Sequence, residues 1–253
     1  MKLFHLLLCI IVLGGTCSGE DATTYFDKLG GKLYSARNYS ESMELFNISL
    51  DQNISNVDAW IHKGDAQKVL RDYNGSIGSY NRAIANDGKK AGAWTGLSDA
   101  YSAKKDYVNA SVASAELTRI DPKNKGYWLK NGTYLQLQGG FESAEADFDR
   151  ALKIDANYKD ALYRKALSQL ADDNSSQAIV LLDQVIDLDP KYKQAYNARG
   201  LALEAQGKYE KALAAYDRAL KKDSKWTQAQ VNRAYVLLAL GKGKEAADIL
   251  IRT

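Results

Sequence analysis

Cysteine, proline and histidine are all scarce in this chain of 253 residues. The only cysteines are Cys9 and Cys17, both near the amino end. Once that end is removed no thiol remains, which excludes disulfides, thiolate catalysis and cysteine-bound zinc from the rest. Two prolines, Pro122 and Pro190, leave long stretches free of the residue that breaks helix interiors, and this suits an all-helical chain. Histidine is limited to His5 and His62, and neither a Gly-x4-Gly-Lys-Ser/Thr loop nor a His-Glu-x2-His helix occurs. Charge of one sign is not in excess: 34 basic against 31 acidic residues give +3, a poor basis for general nucleic-acid binding. No enzyme activity, cofactor or metal site is expected.

What is there begins with an address. Lys2 precedes an apolar run from Leu3 to Leu13, followed by Gly14, Gly15, Thr16, Cys17, Ser18 and Gly19. A positive start, a short apolar segment and small residues afterwards match an export signal over residues 1–19. The run is short of the roughly 20 apolar residues that span a membrane. Cleavage at the small residues is the favoured reading. Lipidation at Cys17 and a retained amino-terminal anchor stay open as the only routes to a membrane. The expected location is extracytoplasmic, secreted or held at the cell envelope.

Asparagine supports export. Asn-X-Ser/Thr occurs at Asn38, Asn47, Asn53, Asn74, Asn109, Asn131 and Asn174, seven of the fourteen asparagines. This enrichment reads as N-glycan acceptors of an exported protein. Asparagine and serine also gather in turns and at helix starts, and Asn38, Asn74, Asn109 and Asn174 are expected in turns between helices.

A period of 34 residues organises everything after the signal. From Tyr39 an aromatic returns at Tyr73, Tyr107, Phe141 and Tyr209; Trp60, Trp94 and Trp128 keep the same step; so do Ala110, Ala144, Ala178, Ala212 and Ala246. The two prolines are 68 apart, two periods. One domain, 20–253, is expected, built of blocks 23–56, 57–90, 91–124, 125–158, 159–192, 193–226 and a shortened 227–253. Each block reads as two helices. In the second, Trp60, Gly64 and Ala66 sit at helical spacing, Asp72 to Gly75 break the chain, and Ile77, Tyr80, Ala83 and Ile84 resume the spacing. Gly64 permits close approach of the second helix, and the recurring aromatics are core.

On these residues the chain resembles the tetratricopeptide repeat family, whose mark is W-x2-L-G-x2-Y followed by Ala, Phe/Tyr, Ala and Pro at fixed places. The sixth block matches best, through Tyr196, Gly200, Leu203, Tyr209, Ala212, Tyr216 and Ala219. Block one departs with Ser42 and Ser49, block five with Leu162, Ser175 and Leu182, and block seven with Gln230 and Gly243. The resemblance implies an all-α, right-handed superhelical solenoid of antiparallel helix pairs, whose first helices line a groove for a partner protein or peptide.

By the family register that groove includes Asp58, Ile61, Asp65, Thr95, Asp99, Leu129, Thr133, Tyr163, Leu167, Asn197, Leu201, Val231 and Tyr235. Three aspartates early and apolar residues late suit a peptide with a basic portion followed by an apolar one. The Lys, Asn and Arg set with which chaperone-binding members grip a terminal carboxylate is missing: Asp27, Gly31, Ile61 and Asp65 occupy the matching places. Lys221, Lys222 and Lys225 with Lys242 and Lys244 suggest a basic end. Ala246, Ile249 and Leu250, with no hairpin after them, suggest self-association through the last helix. A mainly structural, self-associating glycosylated surface protein is the alternative to a binding scaffold.

Overall fold

The computed structural model describes residues 21–251, which divide into two compact units, 21–120 and 121–251. The expected signal over residues 1–19 and the lipidation of Cys17 lie outside the described residues. The first unit holds α1 (Ala22–Ser35), α2 (Tyr39–Gln52), α3 (Val57–Val69), α4 (Tyr73–Asn86), α5 (Ala91–Ala103) and α6 (Tyr107–Ile120). The second holds α7 (Lys125–Leu137), α8 (Phe141–Ile154), α9 (Lys159–Ala171), α10 (Ser175–Leu188), α11 (Lys193–Ala205), α12 (Tyr209–Lys222), α13 (Thr227–Ala239) and α14 (Gly243–Leu250). Among the described residues there is no strand, and the all-α expectation holds.

Each odd-numbered helix pairs with the even one after it, and within a unit each pair stacks on the next. First helices also touch first helices, α1 on α3 and α3 on α5 in one unit, α7 on α9, α9 on α11 and α11 on α13 in the other. The reason is visible in which positions are small. Ala110, Ala144, Ala178, Ala212 and Ala246, the alanine series, are all fully buried, and Ser42 and Ser76 take the same place in the first two pairs. Ser76 satisfies its hydroxyl on the Gly64 carbonyl at 2.8 Å, whereas the Ser42 hydroxyl is buried with no partner.

Large rings fill the gap that small residues leave. A Cβ on Gly64 would lie 2.8 Å from the Tyr80 ring, and one on Gly96 would lie 2.2 Å from the same ring. Tyr80 is fully buried between them, and its hydroxyl donates to Asp65 at 2.6 Å. Phe46 on Gly30, Phe148 on Gly132 and Tyr216 on Gly200 repeat the arrangement, with Cβ distances of 2.6, 2.7 and 2.4 Å.

Turns recur as regularly as the core. Arg37, Arg71 and Lys105 in the first unit, and Gly139, Asp173, Gly207 and Gly241 in the second, all have left-handed backbone. These residues end the first helices in a cap of the Schellman kind: Gly207 N–H donates to Glu204 and Lys208 N–H to Leu203. Where the residue is not glycine the conformation costs about 1–2 kcal/mol. At the other end of each pair, Asn53, Asp87, Asp121, Asp155, Asp189 and Asp223 accept the N–H two residues on. The indoles of Trp60, Trp94 and Trp128 then donate to the carbonyl six residues back. Gln230, in the tryptophan place, makes the same bond to Ser224 at 2.8 Å. That departure keeps the hydrogen bond and loses only the ring.

Gly64, Gly78 and Gly96 separate packing from propensity. An alanine gains about 1 kcal/mol over glycine inside a helix. Gly78 faces open space, so Gly78→Ala should raise the midpoint of denaturant unfolding. Gly64→Ala and Gly96→Ala should lower it, because displacing a buried ring costs about 1–3 kcal/mol, more than the gain. Three shifts of the same sign would mean that Tyr80 is not tightly held.

Candidate functional site

In the second unit, first helices and the loop between pairs enclose one hollow of about 190 Å³, lined by Leu129 and Thr133 of α7, Asp160, Tyr163 and Arg164 of α9, and Tyr192 just before α11. Three features hold its walls. The Tyr163 and Tyr192 rings meet edge to face with centroids 5.2 Å apart. Lys159 sits 4.8 Å above the Tyr192 ring and reaches the Asp189 carboxylate at 2.7 Å. Gln136 donates to the Arg164 carbonyl and to Ser168, each at 2.9 Å, which fixes the turn of α9 that carries Arg164. Burial, then Tyr192, pushes the Tyr163 phenol above its ordinary value; burial, then Asp160, does the same for Tyr192. Both phenols therefore stay protonated at neutral pH and offer hydrogen bonds.

This hollow can hold one side chain of a visitor. It is smaller than the roughly 300 Å³ from which cofactor and drug-sized sites begin. Aromatic and leucine walls supply apolar contact, Arg164 and the phenols supply donors, and the exposed Asp160 carboxylate supplies an acceptor. Two larger hollows are poorer candidates. One, of 370 Å³, is lined by Asp217 and Arg233, which already pair with each other at 2.6 Å; the other, of 510 Å³, lies against the turn from Gly139 to Ser143.

The groove residues read from sequence divide unevenly. Leu129 and Tyr163 come together in the hollow. Leu167 packs against the core around Leu182, and Val231 is half-buried. Leu201 and Tyr235 are exposed at 40% and 58%, one period apart on α11 and α13. Asn197 is not a surface residue: it is buried and accepts the Asn232 amide at 3.0 Å, because the next first helix presents an asparagine opposite it. Tyr192, Asp160 and Arg164 were missed. The signal for Tyr192 was present, since Tyr158, Tyr192 and Trp226 recur at the same step just before three first helices.

The acidic row of the first unit also needs correction. Asp58 pairs with Lys90 at 2.8 Å, while Lys68 lies 3.5 Å from Asp65 and 3.9 Å from Asp99. Two ammonium groups of the same unit thus sit among three carboxylates, and the surface is not an open acidic receptor. Ile61 is half-buried against the Tyr80 core, and Thr95 is half-buried on α5. His62 Nδ1 meets Asp27 Oδ1 at 3.2 Å, joining α3 to α1. The basic end divides as well. Lys221, Lys222 and Lys225 lie where α12 passes into α13, whereas Lys242 and Lys244 lie where α13 passes into α14. A 13-residue helix, about 20 Å long, stands between the two sets.

Of the seven possible glycan acceptors, Asn131 is buried on α7 and donates to Asp147 at 2.6 Å. Asn74 and Asn109 were expected in turns and lie instead in the first turns of α4 and α6. Asn47 lies exposed within α2, and Asn38, Asn53 and Asn174 lie at helix caps. Among the described residues no helix is long and apolar enough to cross a membrane, and no three His, Cys, Asp or Glu groups gather as metal ligands would.

A tetratricopeptide repeat model matches residues 129–193, 163–225 and 197–252. No curated protein matches the chain. Among solved structures, a tetratricopeptide repeat protein from Parabacteroides merdae is similar with a TM-score of 0.75 at 15% identity, covering 91% of each chain. A MamA protein is similar at 0.62 and 21%, over 68% of this chain and 94% of its own. YrrB, described as a tetratricopeptide repeat protein with an unusual peptide-binding site, is similar at 0.61 and 20%, over 73% of this chain and 95% of its own. These likenesses establish the fold.

The His62–Asp27 pair makes the first unit sensitive to pH. Its hydrogen bond to Asp27 raises the His62 pKa above the ordinary 6.5, while burial opposes the rise. A folded value above the unfolded one adds stability that is full below about pH 6.5 and is lost as pH rises through the folded value. Denaturant unfolding of the first unit should therefore need less denaturant at about pH 8.5 than at about pH 6, and Asp27→Asn should shrink the difference.

Proposed function

Because the chain belongs to the tetratricopeptide repeat family, we propose that it is a non-catalytic scaffold that holds a peptide segment of a partner protein on the first-helix surface of its second unit. The hollow between Leu129, Tyr163, Arg164 and Tyr192 carries this reading. Its walls are fixed before any ligand arrives, so little ordering entropy opposes binding. Apolar rings with donors at their edges accept an apolar or aromatic side chain while the flanking peptide carbonyls take hydrogen bonds. YrrB, a protein of similar fold, is described as having a peptide-binding site, which supports peptide binding as a use of this fold.

The place of action in this proposal is outside the cytoplasm. Lys2, the apolar run Leu3–Leu13 and the small residues after it support export. Fractionation of cells making the full chain tests this part alone; a protein held in the cytoplasm with its amino end intact sinks it.

A second reading has its own observation. Tyr235 and Leu238 on α13, with Leu250 and Ile251 at the end of α14, are exposed at 58%, 48%, 41% and 83%. Exposed apolar side chains on the last two helices support self-association of a mainly structural protein. Sedimentation velocity separates the two. A mass that doubles with concentration, and stays monomeric in Ile251→Asp, would favour assembly.

For the scaffold, the test is peptide capture by the purified protein. A peptide selected from a random library should bind Tyr163→Ser about tenfold or more weakly, the loss of a central aromatic anchor. Tyr235→Ser, outside the hollow, should leave that affinity unchanged. Equal affinity of the parent and Tyr163→Ser for every selected peptide removes the proposal.

A further inference from the structure

Seven Asn-X-Ser/Thr triplets in one chain need a structural account before a chemical one. The ordinary account is helix capping, and in two places the structure supplies it: Asn56 accepts the Ala59 N–H at 3.2 Å and Asn124 accepts the Gly126 N–H at 3.0 Å. Neither asparagine belongs to a triplet. Asn38 and Asn174 do belong to triplets and stand at the N-cap of α2 and α10, yet neither side chain makes a capping bond. Asparagines that do the capping and asparagines that carry the triplet are thus different residues. Capping leaves the triplets at Asn38 and Asn174 unexplained.

Geometry then sorts the seven. A transferase must engage the asparagine amide and the hydroxyl two residues on at one site. Residues i and i+2 of a helix do not face each other, so a triplet that starts within a helix cannot present both groups. Asn47, Asn74, Asn109 and Asn131 all start within helices. Their hydroxyl partners are also poorly placed: Ser49 and Ser76 are fully buried, and Ser111 is nearly so. The remaining three start outside helices, with Asn38 and Asn174 in the non-helical backbone of an N-cap and Asn53 in extended backbone. Ser40, Ser55 and Ser176, the matching hydroxyl residues, are all exposed. Asn53 uses only its Oδ1, accepting the Ser55 N–H at 3.0 Å, which leaves Nδ2 open to substitution without loss of that bond.

We propose that Asn38, Asn53 and Asn174 are N-glycan acceptors that remain competent in the folded protein, and that Asn131 is not one. The donor class is an oligosaccharide linked through its anomeric carbon to a polyisoprenyl diphosphate. Nδ2 attacks that carbon and forms the N–C bond. The bond from carbon to diphosphate oxygen breaks, the lipid diphosphate leaves with the electron pair, and Nδ2 gives up one proton. In the cell the modification rests on the export reading above, since exported chains are the ones that meet such donors.

The test supplies donor and enzyme directly, so its failure is distinct from a failure of export. Full-length protein made where no N-glycan is added, and shown by circular dichroism to be helical, is incubated with an oligosaccharyltransferase that accepts Asn-X-Ser/Thr and with its lipid-linked oligosaccharide. Glycopeptide mass spectrometry reads each site. Whole-glycan mass at Asn38, Asn53 and Asn174, lost one site at a time in N38Q, N53Q and N174Q, with Asn131 unmodified, is the expected result. A reaction that modifies a free peptide carrying Asn38-Tyr39-Ser40 but none of the three sites in the folded protein overturns the proposal. Equal occupancy at Asn131 overturns it too, because accessibility would then not select the site.

Discussion

A ring from the second helix of a pair seated on a small residue of the first is the contact on which the structure depends. At four pairs the small residue is glycine, and the ring is Phe46, Tyr80, Phe148 or Tyr216. The other pairs keep the balance of volume rather than the residues. Ser98 stands in register with Ser114 and both are fully buried; Ala166 is in register with Leu182, also fully buried; in the last pair Ala234 is in register with Leu250, which stays 41% exposed. Whenever the first helix gains a side chain, the second gives up its ring. That reciprocity is what close packing demands, since an interior tolerates neither a void nor an overlap of a methyl group. Where the third pair lacks a ring, Tyr80 of the pair before it reaches across to Gly96 and fills the space.

This contact decides which side chains are left for anything else. Core positions recur every 34 residues, so the remaining faces of the first helices recur as well and are free to vary. The second unit uses that freedom at Leu129 and Tyr163, one period apart. The hollow becomes a site only because a structural device is close by. Lys159 closes on Asp189, and its ammonium caps the Tyr192 ring that forms one wall. The same lysine device recurs at Lys125 with Asp155 and Tyr158, and at Lys193 with Asp223 and Trp226. A repeating brace thus turned one interval between first helices into a rigid wall, where tyrosine happened to stand on both sides of it.

The sequence made the fold legible because the ring-on-glycine contact depends on residue size at fixed spacing, and size is written in the chain. Trp, Gly, Ala and the second aromatic could be read without coordinates, as could the apolar half of the hollow. Pairings that depend on the reach of long side chains could not. Lys68 and Lys90 reach Asp58, Asp65 and Asp99 from places that the spacing does not mark as special. Asn197 looked like a groove residue until Asn232, 35 residues on, proved to face it. The basic end failed for a different reason. Lysines close in sequence across a short turn are close in space, but those separated by a whole helix end up at its two ends.

The two proposed roles of the second unit do not compete for space. Asn174 follows the carboxyl end of α9, ten residues beyond Arg164, or roughly 15 Å along a helix. Asp160 and Tyr163 lie in the first turns of the same helix, beside the loop that carries Tyr192. A glycan on Asn174 would therefore stand at the edge formed by the turns within pairs, whereas Tyr192 of the hollow belongs to a turn between pairs. A helical pair has two such edges, and a chain that must be both sugar-coated and open to a visitor can assign one edge to each. Asn53, at a turn between pairs of the first unit, occupies the kind of edge that the second unit leaves bare around Tyr192.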